Sequence, residues 1–381
     1  MSPTPVTFSS PTSPASYSWE ATNEEVAARY GVSLESIVRF DLNTSPAPPA
    51  LVERLLMAGE FDAPISEYAP SDYRRLVEAA AGRYGVAADE LLVGAGADEV
   101  LDVIAKALVA PGDRAIVPTP SYAMYRVCTE QRGATLIDVP RRGAEEGWRV
   151  DGEAVRLAAR DARVVWLCSP NNPTALAEPD GAIEELLSAL SADADRGGRE
   201  APIVVLDEAY AEFVGASLVD LRHGYPNLIV VRTISKAYAL AGLRVGFGIA
   251  RPELIARLNP YRPPGSVSVI SVTVATEALL DDTVLAANLE RVVRERTRLS
   301  RELVEAGWSV GPSVTNFILV NFATPERAAA VAKSMLTLGL VPRTFPAGHA
   351  LVSHLRLTVR DPHENDRLID VARDRSRGAP A

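Results

Sequence analysis

The sequence predicts an α/β fold, a mostly parallel central sheet covered by helices, joined to a smaller α+β domain. Three observations carry this. Short β-branched runs alternate with stretches of helical spacing through the middle of the chain. After about residue 275 the pattern changes to a long charged helix followed by a strand, a helix and a strand. At 381 residues and 47% hydrophobic, the chain exceeds one typical domain and can bury a large core. No repeat recurs at periods of about 20 to 50 residues, which sets solenoids and propellers aside.

Taken in order, the first 18 residues are rich in Pro, Ser and Thr and have neither a basic n-region nor a continuous apolar h-region. Residues 1–21 are therefore expected to be a disordered tail rather than a signal or transit peptide. Residues 60–275 are assigned to the large domain, and 22–59 plus 276–381 to the small one. In the large domain, Val100, Leu101, Ile104 and Leu108 share one face of a helix expected over 98–110. Strands are expected at 115–117, 135–137, 164–168, 203–206, 228–231 and 245–249. The small domain should hold a helix at 281–306, a strand at 316–321, a helix at 325–338, a strand near 355–359 and a last helix.

Composition excludes several functions. With 39 Lys+Arg against 49 Asp+Glu, net charge −10 and no basic cluster, nucleic acid is not an expected partner. Apolar runs such as 164–168 are far shorter than the roughly 20 residues of a membrane span. Cys128 and Cys168 are too few for a disulfide framework, and a reducing cytoplasm fits them.

In open α/β sheets ligands bind beyond the carboxyl ends of the strands, so polar residues there are the candidates. Gly94-Ala95-Gly96-Ala97-Asp98-Glu99 follows an apolar run and opens a helix, where backbone amides and the helix dipole suit a phosphate. A capped helix start with no ligand reads equally well; the turn is neither a dinucleotide fingerprint nor a Walker loop. Ser169-Pro170-Asn171-Asn172-Pro173-Thr174 is a rigid turn after a strand, structural in itself or a platform for Asn172 to donate to a phenolate oxygen. Asp207 closes the next strand, where a carboxylate can keep a pyridine nitrogen protonated, though such residues also serve metal-dependent enzymes; Tyr210 follows three residues on. Thr233-Ile234-Ser235-Lys236-Ala237 sets a lysine among small and hydroxyl residues, with Arg244 eight positions later. That suits a Schiff-base lysine beside a phosphate clamp; the plain alternative is a solvated surface charge.

The ordered set Leu42-Asn43, Tyr68, GAGADE, PSYAMY, SPNNPT, DEAY, TISKAYALAGLRVGF, TNF and LRLTV resembles the fold-type I pyridoxal-5'-phosphate (PLP) dependent aminotransferases of class I/II, most closely the histidinol-phosphate aminotransferase branch, over residues 36 to 375. The resemblance implies that Lys236 forms the Schiff base and shuttles the proton, that Asp207 pairs the ring nitrogen, and that Asn172 and Tyr210 hold the 3'-oxygen. It implies that Tyr122 stacks on the ring and that the phosphate is held by amides of Ala95, Gly96 and Ala97, by Thr233, Ser235 and Arg244, and by Tyr68 from the partner of a homodimer with shared sites. Substrate contacts fall on Asn43, Tyr122, Asn172, Arg343 and Arg356, and no metal is expected. For Arg343 a rim salt bridge is an equal alternative. The substrates would be an amino donor, histidinol phosphate foremost, and a 2-oxo acid such as 2-oxoglutarate.

Three departures stand out: Ala97 where the family often has a hydroxyl, Ala175 where glycine is usual, and a 42–46 stretch lacking the family's second Asn and its Glu. They bear on substrate choice more than on the cofactor. An aminotransferase for aromatic or other amino acids, a threonine-phosphate decarboxylase, and a non-catalytic regulatory module on the same fold remain alternatives.

Overall fold

A computed structural model describes Ser16 and residues 21–378. Apart from Ser16 and Ala21, the tail expected over 1–21 lies outside the described residues. Twelve strands run in chain order among those described: β1 (Val38–Arg39), β2 (Leu91–Gly94), β3 (Arg114–Thr119), β4 (Thr135–Pro140), β5 (Val164–Cys168), β6 (Ile203–Asp207), β7 (Leu228–Thr233), β8 (Gly246–Ile249), β9 (Ser309–Val310), β10 (Phe317–Asn321), β11 (Leu340–Val341) and β12 (His354–Thr358).

The central sheet has the order β2-β8-β7-β6-β5-β3-β4. It is parallel from β4 through β7, while β8 runs antiparallel to both β7 and β2. The exception has a local cause: the 234–245 connection holds no crossover helix, only the short turn Ala241–Leu243, so the chain returns antiparallel. Every residue of β5, β6 and β7 is buried, as continuous apolar runs require of strands covered on both faces. Val164, Trp166 and Cys168 pack into one core, and Val165 and Leu167 into the other.

Helix Gly96–Leu108 buries Val100, Leu101, Ile104 and Leu108, the face the spacing predicts, but starts two residues before the expected 98. Helix Val269–Leu280 is almost wholly buried against Arg74–Tyr84, and no expectation from the sequence covers it. Its apolar and β-branched residues run all round the axis, so no amphipathic period marks it.

The C-terminal part is built on the antiparallel sheet β12-β10-β9, covered by helices Asp282–Glu305, Pro325–Leu336 and Pro362–Gly378. Val38 and Phe40 join its core, and β1 pairs with β11 in parallel. Leu51, on helix Ala50–Ala58, packs instead with the core of the central sheet.

A buried two-pronged ion pair fastens the entry to β2: Arg222 Nε and Nη2 donate to Glu90 Oε1 and Oε2 at 2.8 and 2.9 Å. The guanidinium holds the Glu90 carboxyl below its usual range. Removing one partner strands a desolvated charge, so Arg222→Ala is expected to lower unfolding free energy in urea by about 3 kcal/mol. Because the Glu90 carboxyl is depressed, the stability it contributes is present above the ordinary carboxylate range and is lost on acidification.

Candidate active site

Three strand ends supply the floor of one cavity, of about 250 Å³. β6 ends on Asp207, β5 leads into the turn bearing Asn172, and β7 ends on Thr233 and leads to Lys236. Thr233 pairs across to Gly246, so the loop carrying Ser235, Lys236 and Arg244 leaves and re-enters the sheet on one rung. Tyr122, Tyr210, Ala97 and Arg244 line the cavity walls, and Asn43 and Arg356 come to it from the C-terminal part.

Burial sets the chemistry of the central pair. The Lys236 amine is lowered to about 8, first by desolvation and then by Arg356 and Arg244, against the pull of Asp98 and Asp207. Desolvation raises the Asp207 carboxyl to about 6, opposed by the Tyr125 hydroxyl, which donates to Oδ2 at 2.7 Å, and by the Ala209 amide, which donates to Oδ1 at 3.0 Å. Burial also pushes the Tyr210 phenol up, and Asn43 Nδ2 donates to its oxygen at 3.0 Å. Arg356 is nearly buried; Nη1 donates to Asn172 Oδ1 at 2.6 Å and Nη2 donates to the Asp41 carbonyl.

The other end of the cavity is arranged for an anion. Helix Gly96–Leu108 begins there, and Gly96 (φ 82°) leaves room for Arg244, whose guanidinium a Cβ at that position would strike. A Cβ on Gly246 would likewise meet the Ala97 amide. Ser235 N donates to Thr233 Oγ1 at 3.1 Å, which orders the hydroxyl pair. The Ala95 amide donates to Glu99 Oε2 at 2.7 Å, so of the three amides expected at an anion this one is already engaged. Gly96 and Ala97, at the first turn, have no intrahelical acceptor.

Two expected residues stand apart. Tyr68 is 87% exposed, lies beside Gly265 and does not line the cavity of its own chain. Arg343 lines an adjoining cavity with Phe345 and His349, shared with Arg356, Tyr122 and Asn172. Arg343 and Arg356 exchange backbone hydrogen bonds of 3.1 Å in both directions, so the two arginines stand side by side at the boundary of the cavities.

Sequence reasoning misses Asp98, Asp41 and Tyr125. Asp98 accepts from the Tyr122 hydroxyl at 2.9 Å and from Arg244 Nη2 at 3.1 Å, joining two walls of the cavity. It sits inside GAGADE, where an acidic residue reads only as a complement to the helix dipole. Asp41 acts through its carbonyl, which no side-chain motif reports. Of the departures, Ala175 has φ 67° and is fully buried, packed with Phe317 and Val292. The left-handed region costs a residue with a Cβ about 1–2 kcal/mol, which explains why glycine is usual there.

The chain matches the family described as aminotransferase class I and II over residues 38–371. It belongs to that family. Among its relatives, the histidinol-phosphate aminotransferase of Roseiflexus castenholzii is 35% identical over 363 residues, covering 92% of this chain and 93% of the relative. That of Xanthomonas campestris pv. campestris is 38% identical, covering 81% and 84%. The solved histidinol-phosphate aminotransferase of Sinorhizobium meliloti, in complex with pyridoxal-5'-phosphate, superposes with a TM-score of 0.84 at 25% identity, covering 94% of this aminotransferase and 95% of that chain. Among the described residues no helix is long and apolar enough to cross a membrane, and no cluster of three or more His, Cys, Asp or Glu is placed to hold a metal ion.

Proposed function

We propose that this aminotransferase uses pyridoxal 5'-phosphate and transfers the amino group of histidinol phosphate to 2-oxoglutarate, giving imidazole acetol phosphate and glutamate. The observation that carries the reading is the pairing of a half-buried lysine lowered to about 8 with a buried carboxylate, between a helix start suited to an anion and Arg356. The donor set fits the cofactor: an amine of reduced basicity for its aldehyde, a carboxylate for its ring nitrogen, and Arg244, Thr233, Ser235 and the Gly96 and Ala97 amides for its phosphate. The names and coverage of the relatives support the donor.

When bound, the cofactor supplies an electron sink for the charge left at the donor carbon after its proton departs. The protein supplies the rest. Near neutral pH a fraction of Lys236 is free base, able to condense with a carbonyl carbon with loss of water and, once the donor amine has displaced it, to take the proton from the donor carbon and return it. With the cofactor in place, Asp207 would hold a proton on the ring nitrogen, Asn172 and Tyr210 would orient the 3'-oxygen, and Tyr122 would cover the ring. Arg356 and Arg343 receive the distal phosphate of the donor, and Asn43 fixes Tyr210 at 3.0 Å.

A half-reaction screen tests this. The purified yellow protein is mixed with single amines and its absorbance followed; histidinol phosphate should bleach it fastest. Preferential bleaching by an aromatic amino acid would overturn the donor assignment and leave the cofactor assignment intact.

We further propose a homodimer in which Tyr68 completes the partner's site, a cytoplasmic location, and a division into residues 60–275 and 22–59 plus 276–381. The exposure of Tyr68, Ile65 and Met57, at 87%, 65% and 78%, supports the first, and the unpaired buried cysteines support the second. The placement of Val38 and Phe40 in the C-terminal core supports the third, with Leu51 on the other side of the boundary. Mixing Lys236→Ala with Tyr68→Phe should regain activity beyond the sum of the two, since about a quarter of the sites in a random mixture then hold both native residues. Activity equal to that sum, despite exchange of subunits, would rule sharing out.

A further inference from the structure

PSYAMY contains two tyrosines, and the proposed function uses only Tyr122. Tyr125 is fully buried, and its hydroxyl donates to Asp207 Oδ2 at 2.7 Å. Its direction is fixed by packing: the ring lies parallel to Trp166, 6° between planes and 5.6 Å between centroids, and Trp166 Nε1 donates to Thr129 Oγ1 at 3.0 Å. We propose that Tyr125 is a positioning residue of the active site: its hydroxyl keeps the Asp207 carboxylate ionised and fixed in direction, and through Asp207 it sets how fully the ring nitrogen of the bound cofactor keeps its proton. This rests on the cofactor reading above.

The charge balance around Asp207 makes one hydrogen bond decisive. The side chains acting on it are Tyr125, Asp98 and Lys236, and Cys168 stands opposite it on β5 with its thiol donating to the Pro170 carbonyl at 3.4 Å. Asp98 and burial favour the neutral acid; Lys236, the Ala209 amide and Tyr125 favour the anion. Among these influences on Asp207 that of Lys236 is the smallest, and the Tyr125 hydroxyl is the largest of those favouring the anion. Tyr125, whose phenol burial and Asp207 hold well above the usual range, remains a donor at every working pH. Without it, the carboxylate keeps one backbone donor and competes more strongly for the ring proton.

The test uses holoenzyme loaded with cofactor labelled with nitrogen-15 in the ring. In Tyr125→Phe the ring-nitrogen resonance should move from the protonated position toward that of the neutral ring. The donor half-reaction rate constant should fall about tenfold with little change in donor KM. Para-aminophenylalanine at position 125 keeps the shape and donates a weaker hydrogen bond, so it should fall between tyrosine and phenylalanine. A fully loaded Tyr125→Phe enzyme with an unmoved resonance and unchanged rate would overturn the inference. Should Tyr125→Phe fail to fold or load, an unmoved resonance in the aminophenylalanine protein overturns it instead. Wild-type protein that takes up no cofactor removes the cofactor reading and the inference together, an outcome distinct from the others.

Discussion

Lys236→Ala protein, incubated with cofactor and reduced with borohydride, is expected to gain no mass, whereas the wild type keeps reduced cofactor covalently attached. Turnover should fall by roughly 10⁴ or more, because one side chain acts as nucleophile and proton carrier. Intact-mass spectrometry decides it: reduced cofactor on the Lys236→Ala chain would move the linkage to another amine. The substitution should also change the cofactor-free protein. The amine is lowered to about 8 in the fold, while a lysine in the unfolded chain titrates near 10.4. Between these values the unfolded chain binds more protons, so the stability of the wild-type apoprotein rises with pH across that window. Lys236→Ala should erase that rise.

Arg356→Ala is expected to lower kcat/KM for histidinol phosphate by about 4 kcal/mol, close to a thousandfold, since a buried dianion loses a charge-assisted partner. Arg356 also holds Asn172 and the Asp41 carbonyl, so some loss must come from disorder of the site itself. An uncharged amine donor separates the two contributions. Equal losses for both donors would show that Arg356 acts through Asn172 and Asp41 alone, and the phosphate-specific reading would fail.

Much of this site was legible because its residues follow strands whose apolar runs are unmistakable. Asp207, Asn172, Thr233 and Lys236 each stand just beyond such a run, and the helix face of Val100, Leu101, Ile104 and Leu108 is clean. Tyr125 was not legible, because its role depends on an 82-residue separation closed only by the fold. Helix Val269–Leu280 was lost for the opposite reason: it is apolar on every side, so its pattern carries no direction. The backbone ladder between Arg343 and Arg356 needed the tertiary structure too, since a one-rung bridge leaves no periodic trace.

The loop that carries Lys236 begins and returns on the Thr233 and Gly246 rung, and inside it Ile234 N donates to the Val245 carbonyl at 3.4 Å. Both ends are thus tied into the wholly buried β7 and β8. For local opening, the loop and the sheet form one cooperative unit, and amide hydrogens such as those of Ser235 and Leu240 should exchange with solvent only when the sheet itself comes apart. The segments that bring Asn43 and Arg356 pack in the other core and meet this unit through the Asn43–Tyr210 and Arg356–Asn172 hydrogen bonds. Those side-chain bonds can be exchanged for bonds to a substrate without disturbing the backbone rung that registers the lysine to the strand ends beneath it.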